Sequence, residues 1–215
     1  MILRVEMNEK DRNRISGIAI ALGKSEKTLV KAAVNEAARR AKESLISDAE
    51  GRYTGKRAAS KKNIEENSSI QKASGSNLSS TLRFASGVHE ISQFHVNSMK
   101  VHTTAYTKLG KRRVRTVKGN VLEGGAKELT GAFVVRFKAG KRRAEDKDHF
   151  AVVKRVEGEN MKKYAGKPRI PHYEKLEKVL SPSVPGMISK TYDPDKVADL
   201  LHEEVEKVLA KVLGG

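Results

Sequence analysis

The chain has 215 residues, with 43 Lys and Arg against 26 Asp and Glu, for a formal charge of +17. Its 38% hydrophobic content supports a folded core, while 5% aromatic content and no Trp leave little for a large apolar ligand pocket. The absence of cysteine excludes disulfides, thiolate zinc sites, iron–sulfur clusters and a thiol nucleophile.

No run approaches the roughly 18 apolar residues of a membrane span, and the opening MILRVEMNEKDRNR lacks the apolar stretch of a signal peptide. A soluble cytoplasmic protein is therefore expected. In residues 8–22, Ile15, Ile18, Ala19 and Leu22 recur at helical spacing. Gly23 separates this short helix from a longer one over 25–50. There Val30, Ala33, Val34, Ala37, Ala41 and Leu45 form a 3.6-residue stripe among charged residues. The stripe is rich in alanine, so this helix can lie close to its neighbours.

Residues 51–76 are polar, with Tyr53, Ile64 and Ile70 too sparse for a core. A loop, a short helix near 60–66 and a weak strand are expected there. From Leu78 the period becomes two: Leu78, Leu82 and Phe84, then Ile91 to Val96, then 99–106. The runs GAFVVRFK (131–138) and HFAVVKRV (149–156) add two strands, and glycine-containing turns suggest an antiparallel meander. Asp193-Pro194 is a strong helix start. Val197, Leu200, Leu201, Val205, Val208, Leu209 and Val212 give the helix that follows one apolar face. The expected fold class is α+β: long N-terminal and C-terminal helices packed on an antiparallel sheet with projecting basic loops. A single domain over 1–215 is expected. Its parts are helical (1–50), basic sheet and arms (51–160), a Pro-rich connecting loop (161–192) and the C-terminal helix (193–215).

The charge is unevenly placed. Residues 51–155 hold +15 of the +17, and the last 60 residues are neutral overall. Two clusters account for most of the excess. One is Lys111, Arg112, Arg113, Arg115 and Lys118; the other is Lys138, Lys141, Arg142 and Arg143. Glycines 110, 119 and 140 bracket them, as suits hairpin tips or arms. Clustered cations of one sign attract a polyanion or an acidic partner, because neutralised phosphates release counterions. Solvated loop tips are the alternative. Neither zinc-finger spacing, nor a zipper heptad, nor an RNP-like aromatic motif points to sequence readout.

Motifs for chemistry are weak. Gly17 and Gly23 enclose five residues where a phosphate-binding loop needs four, and those residues are apolar and helix-patterned. His202-Glu203-Glu204-Val205-Glu206 begins like a zinc-protease motif but ends on Glu instead of His. His89, His95, His102, His149 and His172 lack ligand spacing, although His95 and His102 fall on neighbouring predicted strands. No isolated carboxylate pair or Gly-x-Ser-x-Gly elbow is present. The expectation is no enzyme, no catalytic residue, no metal and no cofactor.

Residues 168–190 hold four of the five prolines, Pro168, Pro171, Pro182 and Pro185. They suggest a rigid extended path carrying Val184, Met187 and Ile188. It reads either as a linker or as a docking surface for a neighbouring subunit, made of Pro171, Pro182, Ser183, Val184, Pro185, Met187 and Ile188.

The order of these features resembles the phage minor tail protein Z family of tail completion proteins. The resemblance runs from NEAARRAKESL (35–45) and Tyr53 through the 131–135 run and a strand with Val153 and Arg155. It ends on Arg169-Ile170-Pro171 and Ser181-Pro182-Ser183-Val184-Pro185-Gly186-Met187 before a terminal helix. Ser181 stands where the family usually has glycine, and His172 where it often has an aliphatic residue. The resemblance implies a structural virion protein of the head-proximal tail end, located in the virion and in the host cytoplasm during assembly. Its implied partners are further copies of itself in a ring, a hexamer by that likeness, and neighbouring tail-tube, terminator or head-neck proteins. Packaged DNA would pass through that ring and meet it without sequence specificity, with no membrane involved. A free, non-specific nucleic-acid-binding protein is the rival reading.

Overall fold

The computed structural model describes residues 1–55, 57–97, 117–137, 149–160 and 174–213. The fold is α+β, as expected. The chain divides into two compact units. The first is Met1–Arg52, Ser60–Gly87 and Ser183–Gly215; the second is Tyr53–Ala59 and Val88–Pro182.

In the first unit, strand β1 (Ile2–Glu6) pairs antiparallel with β3 (Ser79–Phe84), which pairs with β2 (Ser68–Gln71), in the order β1-β3-β2. Register places Leu3 and Ile70 opposite Leu82, and Val5 opposite Ser80. Val5, Ser80, Leu82 and Phe84 are all buried. β1 was not anticipated, since its five residues are too short to show a clear period. Helix α1 (Glu9–Ala21) starts on Asn8, whose side-chain oxygen accepts from the Asp11 N–H at 2.8 Å. Gly23 ends it with φ +62°, the left-handed conformation that favours glycine at this position.

Helix α2 (Glu26–Arg52) is the centre of this unit. It packs against β1 and β3 and against α1, against α3 (Lys61–Glu66), α4 (Val184–Thr191) and α5 (Pro194–Leu213). Leu29, Val30, Val34, Leu45 and Ile46 are buried along it together with Ala33, Ala37, Ala38, Ala41 and Ala49. Asn35 ties it to the sheet: its Oδ1 accepts from the Ser80 hydroxyl at 2.6 Å and the Ala73 N–H at 2.7 Å. Ser80 is thus buried but satisfied.

α5 begins as the sequence indicates, with the Asp195 N–H donating to Asp193 Oδ1 at 3.0 Å. Its buried stripe contains an unexpected acid, Glu204, which takes hydrogen bonds from Arg40 at 2.6 Å and Lys207 at 2.7 Å. Burial disfavours the charge of Glu204, but the two cations outweigh it and hold its carboxyl below the usual range. Arg14 forks onto Glu206, and His202 Nδ1 lies 3.3 Å from Asp11 Oδ1, so polar side-chain contacts join α1 and α5.

The second unit contains several small sheets instead of one meander. β8 (Ala132–Phe137), β9 (His149–Asn160) and β10 (Glu174–Lys178) form an antiparallel sheet in the order β10-β9-β8. β5 (His95–Val96), β6 (Lys118–Asn120) and β7 (Lys127–Glu128) form another, and β4 (His89–Glu90) pairs with β11 (Leu180–Ser181). Ile91, Val117, Ala132, Val134 and Val152 make the core, with Val96, Val121, Leu129 and Val179 around it. The expected strand over 91–96 is instead a 3-10 turn (Ile91–Gln93) followed by β5. Ile91 and Phe94 are both buried. At a spacing of three a strand would point them to opposite faces, whereas a 3-10 turn brings them to one side. The expected strand over 99–106 lies outside the described residues.

The alanines of α2 yield a direct test. Ala37 is 1% exposed, and Ala37→Leu adds volume where several elements converge. Such overpacking costs about 1–3 kcal/mol. Urea unfolding followed by circular dichroism should show a lowered midpoint, whereas Ala→Leu at the exposed Ala198 should leave it within error.

Candidate functional site

The two basic runs enter and leave the same unit. β5 and β6 are paired, with Val96 opposite Gly119, and residues 98–116 join them. The pair is fastened at its open end by Asn97. Its N–H donates to Lys118 O at 3.0 Å, and its Oδ1 accepts from the Lys118 N–H at 2.8 Å. β8 and β9 are likewise paired, with Phe137 opposite His149, and residues 138–148 join them. Lys111, Arg112, Arg113, Arg115, Lys138, Lys141, Arg142 and Arg143 lie outside the described residues. Lys118 is described: it is exposed on β6, opposite Glu128 of β7. Close packing fixes β6 beneath it, since a Cβ on Gly119 would lie 3.0 Å from Ile91 Cδ1 and 3.2 Å from Leu129 Cδ1.

Beside these strand ends lies an open groove of about 590 Å³ lined by Arg57, Glu90, Ser92, Gln93, Phe94, His95, His149 and Phe150. Glu90 is its electrostatic centre. One carboxylate oxygen, Oε2, lies 2.8 Å from His149 Nε2, and the other accepts from the Lys178 ammonium. Burial penalises the Glu90 charge, yet the hydrogen bonds from Lys178 and His149 prevail and keep its carboxyl below the usual range. His89 Nδ1 lies 2.9 Å from Gln93 Oε1, and its ring meets Phe94 edge-on with centroids 6.5 Å apart. His149 also stacks on Phe137, with centroids 6.3 Å apart. The Arg155 guanidinium sits 5.2 Å above the Phe133 ring on the same sheet.

The segment expected to dock a neighbouring subunit is placed differently. Val184, Met187 and Ile188 are fully buried within the first unit, in α4, which packs against α2 and β3. Their apolar surface is interior packing and not an open interface, which corrects that expectation. Ser183 caps α4, accepting from the Gly186 N–H at 3.3 Å, and Pro185 falls in the first turn, where its missing N–H costs nothing. The Pro-rich connecting loop is therefore β10, β11 and α4 over its described length. Pro182 is half-buried, and Pro171 lies outside the described residues.

The weak catalytic motifs fall into ordinary positions. Gly17 is inside α1, so the residues before Gly23 form a helix and no phosphate loop. His202 lies on α5 beside Asp11. Among the described residues no group of three or more His, Asp or Glu is placed to hold a metal. His95 lines the groove, whereas His102 lies outside the described residues. Glu90, Lys178 and Phe150 carried no signal in sequence, because their juxtaposition joins positions 59 to 88 residues apart. No helix among the described residues is long and apolar enough to cross a membrane. Comparison with protein-family models, curated proteins and solved structures gave no match.

The Glu90 pairs make stability depend on pH in a defined direction. Because its carboxyl is held below the unfolded value, its contribution is complete above the ordinary carboxylate range. It is lost as pH falls below that range. Glu90→Gln should lower the urea midpoint at neutral pH, and its midpoint should then fall less than the wild-type value on acidification. Parallel acid limbs for the two proteins would remove Glu90 as a source of the dependence.

Proposed function

We propose that the chain is a structural assembly protein of the phage tail-completion kind, acting at the head-proximal end of a tail in a ring of identical copies. In this reading the basic runs face DNA passing through the ring, or an acidic neighbouring protein. The observation that carries it is the anchoring of both runs at paired strand ends of one unit with its own core. Such an arrangement presents many cations from a fixed base, which is what non-specific attraction to a phosphate backbone needs. The likeness to the minor tail protein Z family, set out above, supplies the biological setting. A repeated heterologous contact closing on itself would build the ring.

Charge reversal at Arg112, Arg113, Arg142 and Arg143 tests the reading. The variant should keep its far-UV circular dichroism while particles assembled with it lose DNA retention or head–tail joining by about tenfold or more. Mass spectrometry of purified tails should find the chain at low copy number. An unchanged yield of infectious particles would overturn the assignment. Absence from particles, together with salt-sensitive binding to duplex DNA by the isolated chain, would establish the free nucleic-acid-binding alternative instead.

A further inference from the structure

In the order β1-β3-β2, β1 is an edge strand, and among the described residues no strand pairs with its outer side. The phase of that edge is fixed. Met1 and Phe84 exchange backbone hydrogen bonds, the Met1 nitrogen donating at 2.8 Å and the Phe84 N–H at 2.9 Å. Hydrogen-bonded pairs recur at every second residue of an antiparallel ladder, so Leu3 and Val5 also turn their backbone groups toward β3. The N–H and C=O groups of Ile2, Arg4 and Glu6 therefore point away from the sheet, a template for another strand.

The side chains alternate as well. Val5 is buried and Leu3 half-buried, whereas Ile2, Arg4 and Glu6 are exposed. Arg4 Nε lies 2.9 Å from Glu6 Oε2 and donates to the Ser79 hydroxyl at 3.0 Å. The two terminal guanidinium nitrogens of Arg4 have no partner among the described residues.

Charges on an edge strand normally discourage pairing. Here they differ in sign two residues apart, which makes the strand complementary to a reversed copy of itself. A two-fold axis at Val5 sets Arg4 opposite Glu6 of the second copy, and Glu6 opposite its Arg4. All four residues turn their backbone groups outward, so both pairs can be hydrogen-bonded, with Val5 opposite Val5 between them. An axis at Arg4 or at Glu6 would instead put like charges directly across from each other, which is unfavourable.

We infer that β1 is a self-pairing edge, through which two copies of the chain join their sheets around an Arg4–Glu6 ion pair made twice. The unpartnered guanidinium nitrogens of Arg4 reach the facing carboxylate, and pairing also shelters Ile2, which is 69% exposed. Such a contact is isologous and so differs from the heterologous one that would close a ring. It concerns the first unit alone and does not rest on the reading of the basic runs.

Sedimentation equilibrium of the full chain across the micromolar range tests it, because one strand pair makes a small interface and a weak dimer. Arg4→Glu faces carboxylate with carboxylate, and Glu6→Arg faces guanidinium with guanidinium. Each should raise the dissociation constant of the dimer about tenfold or more. An equimolar mixture of the two variants regains both ion pairs in the mixed dimer, and Arg4→Glu/Glu6→Arg regains them in its own. Both should return to within about threefold of the wild-type value. The two side chains are more than half exposed, so each variant should keep its far-UV circular dichroism.

Amide hydrogen exchange is a second readout. Protection at Arg4 and Glu6 should rise with protein concentration, while Leu3 and Val5, already bonded to β3, change little. A chain monomeric throughout that range, association indifferent to both reversals, or a mixture that fails to recover would overturn the pairing. Protection of those amides only when another protein is added would assign the edge to a different chain and overturn it too. None of these outcomes bears on the basic runs.

Discussion

Everything in the first unit depends on how closely other elements can approach α2. A helix touched by two strands and by four other helices keeps only a narrow solvent-facing stripe for large side chains, where Arg39 and Glu43 lie. Alanine at positions 33, 37, 38, 41 and 49 resolves this by lowering the bulk of the helix, while Leu29, Val30, Val34, Leu45 and Ile46 fill the wider gaps. Close approach brings backbone and polar groups together too, and these must be satisfied. The Asn35–Ser80–Ala73 cluster does that on the sheet side, and Arg40–Glu204–Lys207 does it toward α5. Two polar clusters of this kind also fix which face meets which neighbour, something that a uniformly small apolar surface leaves open.

The second unit solves a different problem. Its core draws on β8, β9, the turn at Ile91 and Val117 just before β6. Cations of one sign repel each other and contribute nothing to burial, so they are tolerable only where solvent or a partner can reach them. Placing the two runs between antiparallel partners lets strand pairing proceed beneath them. Gly119, Asn97 and the Phe137–His149 pair each close a strand end tightly.

Much of the first unit could be read directly from the chain. The stripes in α1, α2 and α5, the Asp193-Pro194 start and the Gly23 break are local signals, and each fell within two residues of the observed limits. α4 is hard to see in the chain because Pro182 and Pro185 suggest an extended path, although proline in a first turn after a serine cap is compatible with a helix. The division into two units was hidden because the first unit is made of three separated stretches. The Ile91–Phe94 segment reads as a strand in sequence, and it is the burial of both residues around a 3-10 turn that distinguishes it. At the groove the sequence was nearly silent. Glu90, His149 and Lys178 meet through the pairing of distant strands, and no local pattern encodes that meeting.

The interrupted path of the first unit has a consequence for the order of events at the ribosome. Residues 88–182 are synthesised before α4 and α5, so the second unit has all its strands while α2 still lacks two of its partners. During that interval the flank of α2 that α5 will cover is open to solvent and to other chains. The highly cationic unit emerging in the meantime carries like charge on every nascent copy. Mutual repulsion between those copies would keep unfinished chains apart until the last helix arrives to close the core.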